Sequence, residues 1–364
     1  MGIVRTQEED YERKELEDFR QTLVSVAALE RRKQDDHQDF KALTSSPSNN
    51  LEDKLVCVTS GVSFLGLALV NCLLLHGYSV RVLVDNQEDV EKLREMENSW
   101  EIWMACKNKV SVVMARPTEM QGLMAAFDGC RGVFHTSAFT DPAGISGYSK
   151  SMGEIEVKGS ENVIKACART PSVRNCVITS SLLACIWRDN SRQDLSPLVN
   201  HDCWSDESLC IDKKLWYALG KLNAEKIAWK IAEEIGLKLT TICPGLITGP
   251  EFSYRNPTAT IAYLKGAQEM YGVGLLATVD VRRLAEAHVS VFEAMNTTAC
   301  GRYICFDQVI GTEEEAEKLA KEMGMPVNKI CGNSFNFFPN RFELSNKKLD
   351  NLMSRTLRSC YGEN

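Results

Sequence analysis

Leu55-Val56-Cys57-Val58-Thr59-Ser60-Gly61-Val62-Ser63-Phe64-Leu65-Gly66 begins the regularly patterned part of the chain. A short, wholly apolar strand runs into a turn of small residues, and an apolar helical stretch comes next at 67–76. In this order, strand, glycine-containing turn and helix let backbone N–H groups approach a pyrophosphate at the helix N-terminus. Only Gly66 stands in register with the glycines of such a turn; Ser60 and Ser63 occupy the other two places. Taken alone, the turn is a weak signal, and its meaning depends on the elements C-terminal to it.

Those elements repeat. Short apolar runs recur at 80–84, 110–114, 132–135, 175–180 and 239–243, separated by helical patterns such as 153–168. Strands this short and this uniformly apolar are covered on both faces, as in a parallel sheet between two helical layers. The expected fold is therefore α/β, a doubly wound parallel sheet of the Rossmann kind. After about residue 249 the alternation loosens, which predicts a smaller C-terminal lobe over the carboxyl ends of the strands. The boundaries read from this pattern are an extension and linker at 1–53, a nucleotide-binding domain at 54–250 and a substrate lobe, mostly 251–364.

The extension differs in composition. Residues 7–33 are rich in charge, with Leu16, Phe19, Leu23 and Val26 on one narrow helical stripe. That stripe can pair with a partner helix, lie on the main domain, or belong to a mostly solvated segment. Met1-Gly2-Ile3-Val4-Arg5-Thr6 fits the pattern for acylation at Gly2, although the acidic residues at 8–10 oppose an anionic membrane surface. No apolar run approaches the eighteen or so residues of a membrane span, and the N-terminus resembles neither a secretory nor a transit signal. The 364 residues carry a net charge of −7, which argues against a nucleic-acid partner. Fourteen cysteines without regular spacing read as reduced thiols in a cytoplasmic protein, and none is spaced with histidine as a metal site requires.

Two further segments carry chemistry. Thr179-Ser180-Ser181 ends an apolar run, and Trp216-Tyr217-Ala218-Leu219-Gly220-Lys221 comes about forty residues later. Tyr217 and Lys221 are one helical turn apart on the same side. An ammonium there favours the phenolate, so the Tyr217 pKa is expected to fall. A nearby serine hydroxyl can hold a carbonyl beside the phenol. The set suits protonation of a carbonyl oxygen while a nicotinamide delivers hydride to the carbon.

From about residue 51 to 349 the chain resembles the extended short-chain dehydrogenase/reductases, and among them the plant cinnamoyl-CoA reductase and dihydroflavonol reductase group. The resemblance rests on 58–66, Gly132-Val133-Phe134-His135-Thr136, Thr179-Ser180-Ser181, Cys203-Trp204-Ser205-Asp206, Trp216-Tyr217 with Gly220-Lys221, Cys243-Pro244 with Gly249-Pro250, and Gly301-Arg302-Tyr303. It implies an NAD(P)H-dependent reductase of a carbonyl or acyl-CoA thioester, in phenylpropanoid or other secondary metabolism, with a small-molecule carbonyl substrate. By that resemblance Ser181 orients the carbonyl, Tyr217 donates the proton, and Lys221 lowers the tyrosine pKa and binds the nicotinamide ribose. The cofactor would further meet Ser60, Gly61, Ser63, Phe64, Leu65 and Gly66, then Thr136, Ser137 and Ala138, and finally Pro244, Gly245, Leu246 and Ile247. All of these lie where strands end, the side on which open parallel sheets bind ligands.

The chain departs from this pattern in places that bear on function. Where the family has an arginine for the 2′-phosphate of NADP, this chain has Asp85, followed by Asn86, Glu88 and Asp89. A carboxylate close to that phosphate costs on the order of several kcal/mol. The resemblance therefore implies NADP(H), while Asp85 makes NAD(H) a serious alternative, with Arg81, Lys92 and Arg94 nearby in sequence. An Asp-Leu pair expected to hold the adenine is replaced by Arg116-Pro117, where Arg116 either serves a 2′-phosphate or is solvated. Leu215, Ala218, Leu219 and Ala262 replace polar groups linked to acyl-CoA substrates, while Lys265 is retained. His135 and His288 read as packed rather than catalytic. A second reading of the same residues is a catalytically weak relative that binds a ligand or partner.

Overall fold

The computed structural model describes residues 54–99, 106–136, 148–188, 196–249, 257–332 and 342–360. The 1–53 extension, with its 16–26 stripe and Gly2, lies outside them, as do Ser137 and Ala138.

In chain order the elements are β1 (Leu55–Val58), α1 (Phe64–Leu75), β2 (Ser79–Val84), α2 (Gln87–Ser99), β3 (Val110–Met114), α3 (Met120–Phe127), β4 (Gly132–His135), α4 (Lys150–Arg169) and β5 (Asn175–Thr179). Next are α5 (Leu183–Ile186), β6 (Leu198–Val199), α6 (Glu207–Asp212), α7 (Trp216–Ile235), β7 (Lys238–Pro244), β8 (Leu246–Thr248), α8 (Pro257–Tyr263) and α9 (Ala267–Val273). The chain continues through β9 (Ala277–Asp280), α10 (Val281–Ala294), β10 (Gly301–Cys305), β11 (Gln308–Val309), α11 (Glu313–Glu322), α12 (Asn328–Cys331), β12 (Glu343–Leu344) and α13 (Lys347–Cys360).

Seven strands form one parallel sheet in the order β10-β7-β5-β4-β1-β2-β3. Alternate side chains of the inner strands enter different cores, which is why those runs are mostly apolar, while the edge strand β3 is largely exposed. Val56, Val58, Val80, Val82 and Phe134 pack with α1 and α10 on one face. Cys57, Leu83, Val133, Cys176 and Ile178 pack with α3, α4 and α7 on the other. The strand order reverses between β1 and β4, and this opens the crevice in which such sheets bind ligands.

The part of the chain after residue 250 divides between two places. β10 pairs with β7 as the last strand of the main sheet, and α10 covers α1 in the same core. The weakened alternation hid this because three helices and a strand (α8, α9, β9 and α10) lie between β8 and β10. A smaller layer is built from the β11-β9-β8 and β12-β6 sheets with α8, α9, α11 and α12. Its core includes Ile186, Trp187 and Leu215, so it is continuous with the segments around Ser181 and Tyr217.

Candidate functional site

The turn after β1 is tightly built. Ser60 has φ +48°, in the left-handed region where glycine is usual, so serine fills a glycine's role there at a conformational cost. A Cβ on Gly66 would stand 2.3 Å from the Ser60 carbonyl oxygen, and one on Gly61 would stand 2.4 Å from Val82 Cγ1. Ser63 caps α1, its Oγ accepting from the Gly66 N–H at 3.0 Å. The first turn of α1 contains no acidic residue, so its positive end is unopposed by a carboxylate of its own. Phe64 and Leu65 are buried in the core, which leaves only their backbone for a ligand. A cradle that any Cβ would fill, at the head of such a helix, fits the pyrophosphate of a dinucleotide.

The split between β1 and β4 is closed by a polar cluster. Thr136 Oγ1 donates to the Thr59 carbonyl at 2.6 Å, and its N–H donates to Thr59 Oγ1. His135 joins Thr59 Oγ1 at 2.9 Å and Ser160 Oγ at 3.1 Å. Burial lowers the His135 pKa to about 4, so it stays neutral and packed, as expected. His288 is likewise structural: Nδ1 donates to the Leu284 carbonyl and Nε2 accepts from Thr179 Oγ1 at 2.8 Å.

At the tip of β2, Asp85 is exposed and linked to Asn86, whose amide also donates to Asp89. Two of the three cations nearby in sequence are employed elsewhere, and Arg94 is exposed. Arg81 donates to the Ala126 and Asp128 carbonyls, and Lys92 pairs with Glu88 and Asp89. Arg116 is 66% exposed, with Glu119 at 3.9 Å.

Ser181 lies at the carboxyl end of β5 on a turn stapled to β7. The Ser180 N–H donates to the Ile242 carbonyl and the Leu182 N–H to the Pro244 carbonyl, each at 2.7 Å. Pro244 is thereby fixed beside the serine turn. Gly245 must be glycine, since a Cβ would stand 2.6 Å from the Ala277 carbonyl oxygen. Leu246 and Ile247 continue into β8, which pairs with β9. The Cys203-Trp204-Ser205-Asp206 segment clamps the chain just beyond Ser181. Ser205 Oγ donates to the Leu183 carbonyl and accepts from the Trp187 N–H.

Tyr217 and Lys221 occupy the first turns of α7, with the Lys221 nitrogen 5.7 Å from the Tyr217 ring centre. Lys221 is buried and pairs with an equally buried carboxylate, Glu156 of α4, at 2.6 Å. The Tyr148 hydroxyl donates to the other Glu156 oxygen at 3.0 Å, and its ring meets Tyr217 edge-on with centres 5.0 Å apart. Two glycines permit this meeting of helices: a Cβ on Gly220 would lie 2.9 Å from the Gly153 Cα.

These neighbours reverse one expectation. Burial pushes the Tyr217 pKa up, Lys221 pulls it down, and Glu156 pushes it up again; the net direction is upward. Sequence spacing showed the ammonium but not the desolvation or the second charge. Lys221 itself is opposed by burial, yet Glu156, Tyr217 and Glu225 outweigh that and hold its pKa above the ordinary value.

Glu156 and Tyr148 were missed from sequence, although Glu156 left a trace. It lies on the buried stripe of α4 with Gly153, Ser160, Val163 and Cys167, where helical spacing calls for an apolar residue. Lys265 donates to the Lys214 carbonyl, which steadies the bend before α7.

Comparison with known proteins agrees with this geometry. Residues 57–326 match the 3-beta hydroxysteroid dehydrogenase/isomerase family. Cinnamoyl-CoA reductase 1 of Petunia hybrida is 35% identical over 310 residues, which cover 83% of this chain and 88% of that protein. Among solved structures, vestitone reductase from alfalfa (Medicago sativa) superposes with a TM-score of 0.59 at 25% identity, over 82% of this chain and 91% of that one. Yeast methylglyoxal/isovaleraldehyde reductase Gre2, complexed with NADPH, superposes with a TM-score of 0.60 at 21% identity, over 82% and 93%. The matched span runs from β1 to α11 and includes Ser181, Tyr217 and Lys221 alike, and the chain belongs to the 3-beta hydroxysteroid dehydrogenase/isomerase family, among the extended short-chain dehydrogenase/reductases.

Proposed function

We propose that this protein is a cytoplasmic NADPH-dependent reductase of a carbonyl or acyl-CoA thioester, of the cinnamoyl-CoA reductase kind. The observation that carries the reading is the buried Lys221 beside Tyr217, on a helix packed against the turn that bears Ser181. The kinship with the petunia reductase supports the substrate class, and the NADPH bound in the yeast reductase supports the cofactor.

The backbone of the 60–66 turn and the α1 N-terminus would hold the pyrophosphate. Thr136, Lys221, and Pro244 to Ile247 would line the cofactor toward its nicotinamide, and Asp85 would stand near the adenosine ribose. When bound, the reduced nicotinamide supplies a hydride to the carbonyl carbon. Ser181 Oγ holds the carbonyl oxygen by a hydrogen bond, and the Tyr217 hydroxyl gives its proton to that oxygen as negative charge develops on it. Lys221 stabilises the phenolate left behind. The walls of the smaller layer near Tyr217 are mostly apolar, built of buried Trp187, Leu215, Ala262 and Tyr263 and carrying the Trp187 indole nitrogen and the Tyr263 hydroxyl, which suits an aromatic or aliphatic acyl group.

Tyr217→Phe tests the proposal against a panel of aldehydes, ketones and acyl-CoA esters. Loss of turnover by about a hundredfold or more with cofactor binding retained is expected; unchanged turnover refutes the mechanism. A purely binding role is the weaker reading, because a buried ammonium–carboxylate pair is costly to keep without a use.

A further inference from the structure

Glu156 takes no part in the hydride and proton transfers, yet it occupies the most consequential position behind them. Its carboxylate is 1% exposed, Lys221 meets one oxygen at 2.6 Å, and the Tyr148 hydroxyl meets the other at 3.0 Å. The charge on Lys221 is therefore divided between the tyrosine it faces and a carboxylate in direct contact with it. We propose that Glu156 is a positioning residue that neutralises much of the Lys221 ammonium and thereby keeps Tyr217 in its proton-donating form, rendering the site an acid at ordinary pH. The proposal rests on the reductase reading.

Among the described residues, the titratable groups around the carboxylate come from α7, β4 and the segment before α4. From α7 come Lys221 and Tyr217, with Glu225 one turn further along acting on Lys221. Tyr148 comes from the segment before α4, and its own hydroxyl is held protonated first by burial and then by Glu156. His135 from β4 also feels Glu156 and Lys221, but burial keeps its ring neutral with a pKa of about 4. Glu156 is the strongest of the charges acting on Lys221, and at Tyr217 it opposes the lowering that Lys221 exerts, so burial decides the direction. The tyrosine then behaves as a buried phenol, which holds its proton more tightly than a free one.

Carbonyl reduction consumes a proton from Tyr217, so a tightly held proton keeps the reducing form populated up to alkaline pH. Alcohol oxidation needs the phenolate, so the same arrangement keeps the reverse rate low near neutrality. Because Tyr217 and Lys221 are coupled, the alkaline limb belongs to the pair. Removing the negative charge of Glu156 makes the first proton leave the pair more easily, whichever group releases it.

The test compares wild type with Glu156→Gln and Glu156→Asp. In Glu156→Gln the alkaline limb of the reduction profile should move to lower pH by on the order of one unit. Alcohol oxidation near neutrality should rise about tenfold per unit of that shift. Glu156→Asp keeps the charge and should restore most of the wild-type profile, and it carries the test if the glutamine variant does not fold. A substrate-free readout accompanies these: the near-ultraviolet phenolate titration of each protein minus that of its Tyr217→Phe counterpart. A folded Glu156→Gln variant that is slower at every pH, with neither limb nor titration displaced, overturns the proposal. A displaced titration in a protein that reduces no carbonyl upholds the electrostatic role of Glu156 and overturns the reductase reading instead.

Discussion

Arg302 of β10 and Glu225 of α7 form a buried bidentate pair, Nε to Oε1 at 2.7 Å and Nη2 to Oε2 at 3.2 Å. Glu225 also accepts from Ser180 Oγ and Thr241 Oγ1, each at 2.6 Å. The guanidinium lies 3.6 Å over the Trp204 ring and donates to the His201 and Cys203 carbonyls. One ion pair thus joins the edge of the sheet, the helix of Tyr217, the residue before Ser181 and the segment that clamps the serine turn.

Breaking this pair strands a buried charge. Arg302→Met should cost about 3–5 kcal/mol of stability, measured by urea unfolding. The double variant Arg302→Met, Glu225→Leu should lose less than Arg302→Met alone, because no unpaired ion remains. Equal or greater loss in the double variant would show that the pair itself is net stabilising.

Gly66→Ala should damage nucleotide binding before it damages catalysis. The added methyl meets the Ser60 carbonyl at 2.3 Å, a backbone atom that cannot swing aside. The turn must open, moving the N–H groups of the helix head. Calorimetric titration should show NADPH affinity weakened by about tenfold or more, for a shift near 1.4 kcal/mol. Retained affinity would place the pyrophosphate elsewhere.

Asp85 opposes the extra phosphate of NADPH if that phosphate lies at the tip of β2. Asp85→Arg should then tighten NADPH by about tenfold or more and leave NADH nearly unchanged. The same titration with both nucleotides reads the outcome. Equal changes for both would remove Asp85 from the cofactor's specificity.

Two buried histidines set an acid limit on stability. His135 and His288 have folded pKa values of about 4 against 6.5 when free, in both cases through burial. Below 6.5 the unfolded chain binds protons that the folded protein refuses, so stability is complete above that value and falls as pH drops toward 4. From about pH 7 to about pH 5.5 each histidine should remove about 1 kcal/mol. His288→Leu should flatten the pH dependence of the urea midpoint over this window, even though its stability at neutral pH is lower.

The inner strands were legible because the sheet is covered on both of their faces, so 80–84, 132–135 and 175–179 are mostly apolar. At the sheet edge, β3 stayed legible through its valines although Val112 and Met114 are exposed. Ser181, Tyr217 and Lys221 were legible because a strand end and a helical turn place them by local spacing alone. Asp85 was legible as the residue directly after the second strand. β10 was not recognised as part of the sheet, since its partner β7 lies some sixty residues earlier and intervening elements interrupt the alternation. Sequence also identified the cation beside Tyr217 but not the anion beside the cation. Glu156 reaches Lys221 because two helices remote in sequence cross at Gly153 and Gly220, and the sign of the Tyr217 shift depends on that crossing and on burial. Local spacing decides which groups a helix presents. Burial and through-space charge, which only the folded chain brings together, decide what those groups do with a proton.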